Sequence, residues 1–440
     1  MKVTAIETVR VAAFPNILWV QVETDEGLTG LGESFYGPGA AEAHIHETIA
    51  PKLIGADPRN IERAQAGLTG YVGFVGASAE MRGRSAVDIA LWDILGQATG
   101  LSIADLLGGR VRDDIGVYNT CAGFSYVQTK ATQGTDNFGL DARKGEYEDL
   151  DAFLNRADEL AQSLLEMDIT AMKIWPFDYA AEASDGMWIG VDDLKRGLEP
   201  FEKIRAAVGD KMEIAAELHS LWSRPMAVKI AEALEDIRPM WVEDPVFMDH
   251  LASIGEVARA TSCPIAVGET RGGRADFRGL AELEALSMII MDVTWCGGIS
   301  EARKIATLCE SYHVPVAFHD CTGPVALTAS THLALNARNC WVQEIVRAFY
   351  YGWYGDFVTA LPPIDTPSRC GTVRRIPKLR PEAISIVLFG PGVKQVTKQK
   401  PATASSHSIV IVSTRNRTTL THPPPSSAGS GHHRGPSRRD

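Results

Sequence analysis

Three glutamates stand at equal intervals along the chain, each closing a short apolar run. They are Glu217 in Ile214-Ala215-Ala216-Glu217, Glu243 in Met240-Trp241-Val242-Glu243 and Glu269 in Ile265-Ala266-Val267-Gly268-Glu269. Both intervals are 26 residues, enough for a strand, a loop, a helix and a return loop. Carboxylates ending three successive parallel strands share one mouth, where they repel each other unless a cation neutralises them. The chemistry this set points to is the binding of a divalent, oxygen-preferring metal. A lone strand-end glutamate is more often a loop cap or an ion-pair partner. Three at one spacing make that reading much harder to hold.

Other reactive residues fall in register with them. His319 ends the run Val316-Ala317-Phe318-His319, and Asp292 ends Ile290-Met291-Asp292 one strand earlier. A histidine serves best as a base when a carboxylate fixes its tautomer and stabilises its cation. On a strand, residues i and i+2 face one side, so Glu217 with His219, and Lys173 with Trp175, can enter the same mouth. Glu344 closes the ring on the last strand. Plainer roles compete: Lys173 as an ion-pair partner, His319 as a structural histidine, Trp175 as a pocket wall. His313 and His332 are assigned no role.

The elements that must position these residues form a repeat. Strand ends fall at residues 119–121, 172–175, 217, 243, 269, 292, 319 and 344, the last six at intervals of 23 to 27 residues with amphipathic stretches between. That is the rhythm of an α/β barrel. A doubly wound sheet is disfavoured, since polar residues mark nearly every strand end and no Gly-rich phosphate loop follows any strand. Residues 1–117 read as a separate α+β domain, with strands at 4–12, 17–23 and 29–33. Its best helix covers 85–96, with Ser85 as the N-cap. Asp88 and Trp92 on that helix read as polar cover and packing. The barrel then occupies 118–364.

At 440 residues, with 45% hydrophobic and 22% charged residues, the composition is that of a soluble globular enzyme. Apolar runs are strand-sized, which argues against a membrane span. The N-terminus enters a strand pattern with no signal-peptide core. Seven cysteines without CxxC spacing argue against a disulfide framework or a zinc site and for a reducing cytoplasm. A net charge of −12 makes nucleic acid an unexpected partner. That charge conceals a break: residues 366–440 hold 13 Lys and Arg against two acids, a net +11, leaving −23 on the first 365 residues. With its Pro423-Pro424-Pro425 and Ser- and Thr-rich runs, the stretch 365–440 reads as an atypical, basic, disordered tail.

The segments Met240-Trp241-Val242-Glu243-Asp244-Pro245, Val267-Gly268-Glu269, Asp292-Val293-Thr294-Trp295-Cys296-Gly297-Gly298-Ile299-Ser300-Glu301, the strand-end His319 and Val87-Asp88-Ile89-Ala90-Leu91-Trp92-Asp93 together resemble the enolase superfamily, and within it the mandelate racemase subgroup. The resemblance covers about residues 1–364. It implies a modified TIM barrel, (β/α)7β, under an N-terminal α+β capping domain. It implies that Glu217, Glu243 and Glu269 bind one Mg²⁺, and that His319 paired with Asp292 is a general base. Glu344 would hydrogen-bond the substrate, loops near residues 14–19 and 35–39 would set specificity, and the chain would form a homo-oligomer.

The reaction turns on one departure. Racemases of the subgroup carry Lys-x-Lys where this chain has Lys173-Ile174-Trp175, and indole is no base at neutral pH. His219, two residues after Glu217, is similar to the histidine of the Asp-x-His in acid-sugar dehydratases such as galactonate dehydratase. The expectation is therefore Mg²⁺-dependent dehydration of an aldonate or aldarate, a small-molecule acid sugar. His319 would remove the C2 proton, His219 would protonate the leaving hydroxide, and Lys173 and Trp175 would contact the substrate. Racemisation or epimerisation through the same enediolate is the alternative. A third is an inactive barrel, because the segment that normally completes the cap is replaced by the basic tail.

Overall fold

The computed structural model describes residues 1–68, 76, 78–365, 378–379 and 413–419. Eight parallel strands form a closed ring: β4 (Ile115–Thr120), β5 (Ala171–Ile174), β6 (Glu213–Glu217), β7 (Trp241–Glu243), β8 (Ile265–Val267), β9 (Met288–Met291), β10 (Val316–Phe318) and β11 (Cys340–Ile345). Ahead of them, β1 (Val3–Val11), β2 (Ile17–Thr24) and β3 (Thr29–Phe35) form the antiparallel sheet of the N-terminal domain. Pairing of β11 with β4 closes the barrel. The first barrel strand starts at Ile115, slightly ahead of the boundary expected at 118.

Side-chain alternation builds the barrel interior in two storeys. The lower one is an apolar cluster that includes Tyr118, Ala171, Ala215, Trp241, Ile290, Ala317 and Val342. Two residues further along each strand stand Thr120, Lys173, Glu217, Glu243, Asp292, His319 and Glu344, turned inward by the same alternation. The apolar storey keeps water out from below, and the polar storey forms the floor of the mouth. On β8 the rule is interrupted: Ala266 is inward, but the polar residue is Glu269. Gly268 makes the correction, with φ 125°, a region that favours glycine. A Cβ there would lie 2.7 Å from the Ile290 carbonyl oxygen.

The N-terminal domain wraps its three-stranded sheet around the helix Ala79–Thr99. The contact is intimate, since a Cβ on Gly32 would lie 1.8 Å from the Ala86 carbonyl oxygen. The helix is longer than the 85–96 expected, and Ser85 is not its N-cap. The Ser85 hydroxyl instead donates to the Met81 carbonyl at 2.7 Å and accepts from the Gly297 amide of the barrel at 2.9 Å. Serine in a helix interior satisfies its hydroxyl this way when the backbone donor of another element needs it.

Two buried carboxylates of this domain join it to the barrel. Asp88 accepts from the Ser300 amide (2.9 Å) and hydroxyl (2.6 Å) at the start of the helix Gly298–Ser311, and from Gln65 Nε2 at 2.8 Å. Glu33 accepts from the Ala326 amide at 3.0 Å, at the start of the helix Pro324–Asn336, and from Trp19 Nε1 at 2.9 Å. Each places a carboxylate where free amides and the helix dipole favour it. Burial raises Asp88 to about 6 against these hydrogen bonds. Asp88 is thus an inter-domain cap, more than the polar cover expected of it, and Trp92 adds a hydrogen bond to Ser300 Oγ at 2.9 Å.

The tail differs from expectation in two places. Ser413–Thr419 is a strand, antiparallel to β1 along its whole length. Its alternation of Thr with Arg suits a half-exposed strand, and β1 offers an open edge beside acidic side chains. Arg415 meets Glu7 at 3.3 Å, Arg417 meets Glu23 at 2.6 Å, and Thr418 Oγ1 lies 2.8 Å from His46 Nδ1. Lys378–Leu379 also pairs with the start of β4. The rest of the tail expectation falls outside the described residues. Among the described residues, no helix is long and apolar enough to cross a membrane.

Ending the chain at residue 412 should expose the β1 edge. We expect the β1 amides that face the tail strand to exchange hydrogen at least about tenfold faster, since each loses a backbone partner. Unchanged protection of β1 in the shortened chain would count against a structural role for the tail strand.

Candidate active site

The floor of the mouth is a cluster of acids around one lysine. One carboxylate oxygen each from Glu217, Glu243 and Glu269 lies within 4.8 Å of the others. Lys173, 2% exposed, places its Nζ 2.7 Å from Glu243 Oε1, 3.2 Å from Glu217 Oε2 and 3.2 Å from Glu344 Oε1. Burial opposes charge on Lys173, but the Glu243 and Glu344 carboxylates outweigh it and hold its pKa well above the ordinary value. Glu243 itself is pushed up to about 8, by burial first and by Glu217 next.

The remaining bonds leave room for a cation. Glu243 Oε2 accepts from Trp241 Nε1 at 2.8 Å, and Glu217 Oε1 accepts from the His219 amide at 2.7 Å. Glu217 Oε2 is buried, and Lys173 at 3.2 Å is the one partner it has among the described residues. A buried carboxylate oxygen with lone pairs to spare, beside two other strand-end carboxylates, suits a hard divalent ion. Behind them, Asp244 accepts from the Gly268 amide at 2.9 Å and so ties the β7 loop to the turn that aims Glu269.

His319 and Asp292 meet as expected. Asp292 Oδ2 lies 2.7 Å from His319 Nδ1, while its Oδ1 accepts from the Thr294 amide and hydroxyl, each at 2.6 Å. A carboxylate held this firmly fixes Nδ1 as the proton-bearing nitrogen and leaves Nε2 to exchange protons. Nε2 lies 3.2 Å from Glu269 Oε2 and 4.0 Å from Glu344 Oε2. Burial disfavours the imidazolium, but Glu269 and Glu344 overcome that and raise His319 well above its usual range. A divalent cation among the glutamates would offset the same field and bring His319 toward the range where it accepts a proton. Glu344 is held below the ordinary carboxylate value: burial opposes this, and Lys173 and His319 override it. It also accepts from the Thr120 hydroxyl, and from the Asp320 amide at 3.0 Å.

His219 reaches the mouth by a route the strand rule did not foresee. β6 ends at Glu217, and His219 and Ser220 take left-handed conformations with φ 49° and 60°. The turn swings the imidazole over the pocket, where Nδ1 lies 2.7 Å from Asp178 Oδ2. Burial lowers the His219 pKa, yet Asp178 and then Glu217 carry it up to about 10. Asp178 was not among the sequence-derived residues. It follows Trp175-Pro176-Phe177 and opens the helix Asp178–Ser184, so in sequence it looks like a helix-start acid. Trp175 is a wall: its ring lies 5.7 Å from the His219 ring and packs on Phe153 and Tyr126.

Lys173, Trp175, His219, Glu269, His319 and Glu344 all line one small inner pocket, with Glu217 and Glu243 beneath it. It opens past Tyr36, Tyr126, Gln133 and Trp295 into a vestibule of about 960 Å³. Sequence reasoning gave none of these four a role, although Trp295 lies in a segment that carries the family resemblance and Tyr36 falls in the expected specificity loop. On opposite walls, therefore, two His–Asp pairs face a lysine and a carboxylate cluster fit for a divalent ion.

The barrel matches the family model described as enolase C-terminal domain-like over residues 156–368. The cap matches the mandelate racemase/muconate lactonizing enzyme N-terminal domain over 2–108. The chain belongs to this family, within the enolase superfamily. It is 30% identical to D-galactonate dehydratase of Variovorax paradoxus over 86% of its own length and 90% of that protein. To D-galactonate dehydratase of Ralstonia nicotianae it is 31% identical over 80% and 83%. A solved enolase of the mandelate racemase subgroup from Agrobacterium tumefaciens is 45% identical, with a TM-score of 0.78 over 95% of this chain and 99% of that one.

Glu217→Gln removes a charge from the carboxylate cluster and adds a donor where a cation would want an acceptor. We expect divalent-ion affinity, read by calorimetric titration, to fall at least about 100-fold. Unchanged affinity would place the ion elsewhere.

Proposed function

We propose that this chain is an acid-sugar dehydratase that turns an aldonate or aldarate into a 2-keto-3-deoxy acid. The observation that carries the reading is the placement of two His–Asp pairs. β6 and β10 are four strands apart in a ring of eight, so His219 and His319 rise from opposite walls of one pocket. A base on one side and an acid on the other suit removal of a proton and a hydroxide from adjacent carbons.

His319 Nε2 takes the C2 proton, with Asp292 stabilising the imidazolium that forms. The electron pair left at C2 moves into the substrate carboxylate. Mg²⁺ held by Glu217, Glu243 and Glu269 supplies positive charge to that carboxylate when bound. Lys173 holds the carboxylate end in place by its charge, and the ionised Glu344 accepts from a substrate hydroxyl. When the electron pair returns, the C3–O bond breaks, and the His219 imidazolium gives the departing hydroxide a proton, releasing water. The enol product tautomerises to the 2-keto acid. Support for this reading comes also from the D-galactonate dehydratases to which the chain is similar.

Residues 118–364 serve here as the catalytic barrel and 1–117 as its cap, in a cytoplasmic homo-oligomer. The reading of an inactive barrel loses its motive where the tail supplies a strand to the cap sheet. Epimerisation by the same groups stays a second reading, because His219 on the opposite wall is also placed to return a proton to C2.

A panel of aldonates and aldarates with Mg²⁺ should yield 2-keto-3-deoxy product, and chelation should abolish it until Mg²⁺ is restored. His319→Ala should lower turnover by about 10²–10⁴-fold and stop exchange of the C2 proton with deuterated solvent. His219→Ala and Asp178→Asn should each slow elimination by about 10²-fold or more while leaving C2 exchange measurable. Exchange without any loss of hydroxyl in the wild type would favour epimerisation, and turnover surviving both histidine changes would sink the assigned roles.

A further inference from the structure

The vestibule above the inner pocket has an uneven charge pattern. Its acids Glu182, Asp185 and Asp249 are exposed at the rim, Asp178 is engaged with His219, and Asp244 and Glu269 lie buried at its floor with the carboxylate cluster. Its half-buried cations are Arg82 and Arg271. Arg224, a third arginine of the lining, is already paired with Glu256.

Arg82 and Arg271 are poorly satisfied. Among the described residues, Arg82 has no ion pair; its only hydrogen bond is a long one, Nη1 to the Tyr36 carbonyl at 3.4 Å. Its guanidinium lies 5.3 Å from the centre of the Trp295 ring, which is itself 5.4 Å from the His319 ring. Arg271, two residues beyond the ligand Glu269, has a buried Nε without a hydrogen-bond partner and only a loose approach to Asp276, at 3.8 Å. A guanidinium withdrawn from water without an anion is costly, and its planar fork matches a carboxylate.

We propose that Arg82, supported by Arg271, receives a second carboxylate at the far end of the substrate, so that the preferred acid sugar is a diacid, an aldarate. The inference rests on the acid-sugar reading above and narrows it. The reacting carboxylate sits at Lys173, the carbon chain runs from His319 past Tyr36 and Trp295, and the distal carboxylate meets Arg82. An aldonate of the same configuration presents a neutral hydroxymethyl group there and leaves both guanidiniums unpaired.

The test compares stereochemically matched pairs, galactarate with galactonate and glucarate with gluconate, binding to the Mg²⁺-loaded protein by calorimetry, with titrations into Mg²⁺ alone as reference. We expect a diacid to bind at least about tenfold more tightly than its monoacid, the worth of one charge-assisted hydrogen bond. Arg82→Met should remove that advantage while changing monoacid affinity less than about twofold, and Arg82→Lys should restore part of it. Arg271→Met gives an independent reading should the Arg82 change disturb folding. Equal or tighter binding of the monoacids, or equal weakening of both classes in the variants, overturns the inference. Because the measurement is of binding, it stands whether or not dehydration is seen, and absence of 2-keto product counts against the dehydratase reading alone.

Discussion

The crowding of carboxylates at the barrel mouth governs the rest of this site. Glu217, Glu243, Glu269, Asp292 and Glu344 are all buried, and Asp244 is buried behind them. Buried like charges cannot all stay ionised unless positive charge is brought among them. Lys173 is the resident answer, touching three of the acids from the centre of the floor. His319 is the second, placed against Glu269 and Glu344. A divalent ion among Glu217, Glu243 and Glu269 would be the third. The same field that would hold such an ion raises the histidines, so ion binding and proton exchange are coupled by electrostatics.

The cap takes part in that arrangement through its own buried acids. Asp88 and Glu33 cap two barrel helices that begin just after the loops of Asp292 and His319. The Trp295 indole donates to the Phe35 carbonyl at 3.1 Å across the same boundary. A shift of the cap would therefore move the helix starts that set the His–Asp geometry. The tail strand on β1 stiffens the far edge of the same sheet. Positions remote from the pocket can affect chemistry by this route, since sub-ångström placement matters to proton transfer.

Much of this was legible in the chain because barrels repeat. The period of strand ends located the three glutamates, Asp292, His319 and Glu344, and the strand alternation put Lys173 inside. What sequence spacing missed was set by turns and by contacts between distant segments. The His219 orientation depends on left-handed backbone at residues 219 and 220, which no periodicity announces. Asp178 was hidden by its second role as a helix-start acid. Ser85 was misplaced as an N-cap because its actual partner, Gly297, is 212 residues away. The tail strand escaped notice because a Thr- and Arg-rich run gains its order only from the acidic edge it meets.

Trp175 shows how one residue can tilt an otherwise shared site. Behind Lys173, a second lysine would add a flexible cation and a possible base to this wall. The indole instead fills the wall with an apolar face, wedged between Phe153 and Tyr126 and edge-on to His219. Proton traffic on that side would then depend on His219, whose partner Asp178 opens the helix just beyond Trp175. The two histidines have the same 2.7 Å bond to an aspartate, yet their surroundings differ. His319 also touches Glu269, one of the proposed metal ligands, so its proton affinity would follow the ion. The strongest pull on His219 comes from Asp178, which lies outside that set and leaves His219 better able to keep its proton when the ion is bound. That difference, more than the pairing itself, is what would separate a base from an acid in the proposed reaction.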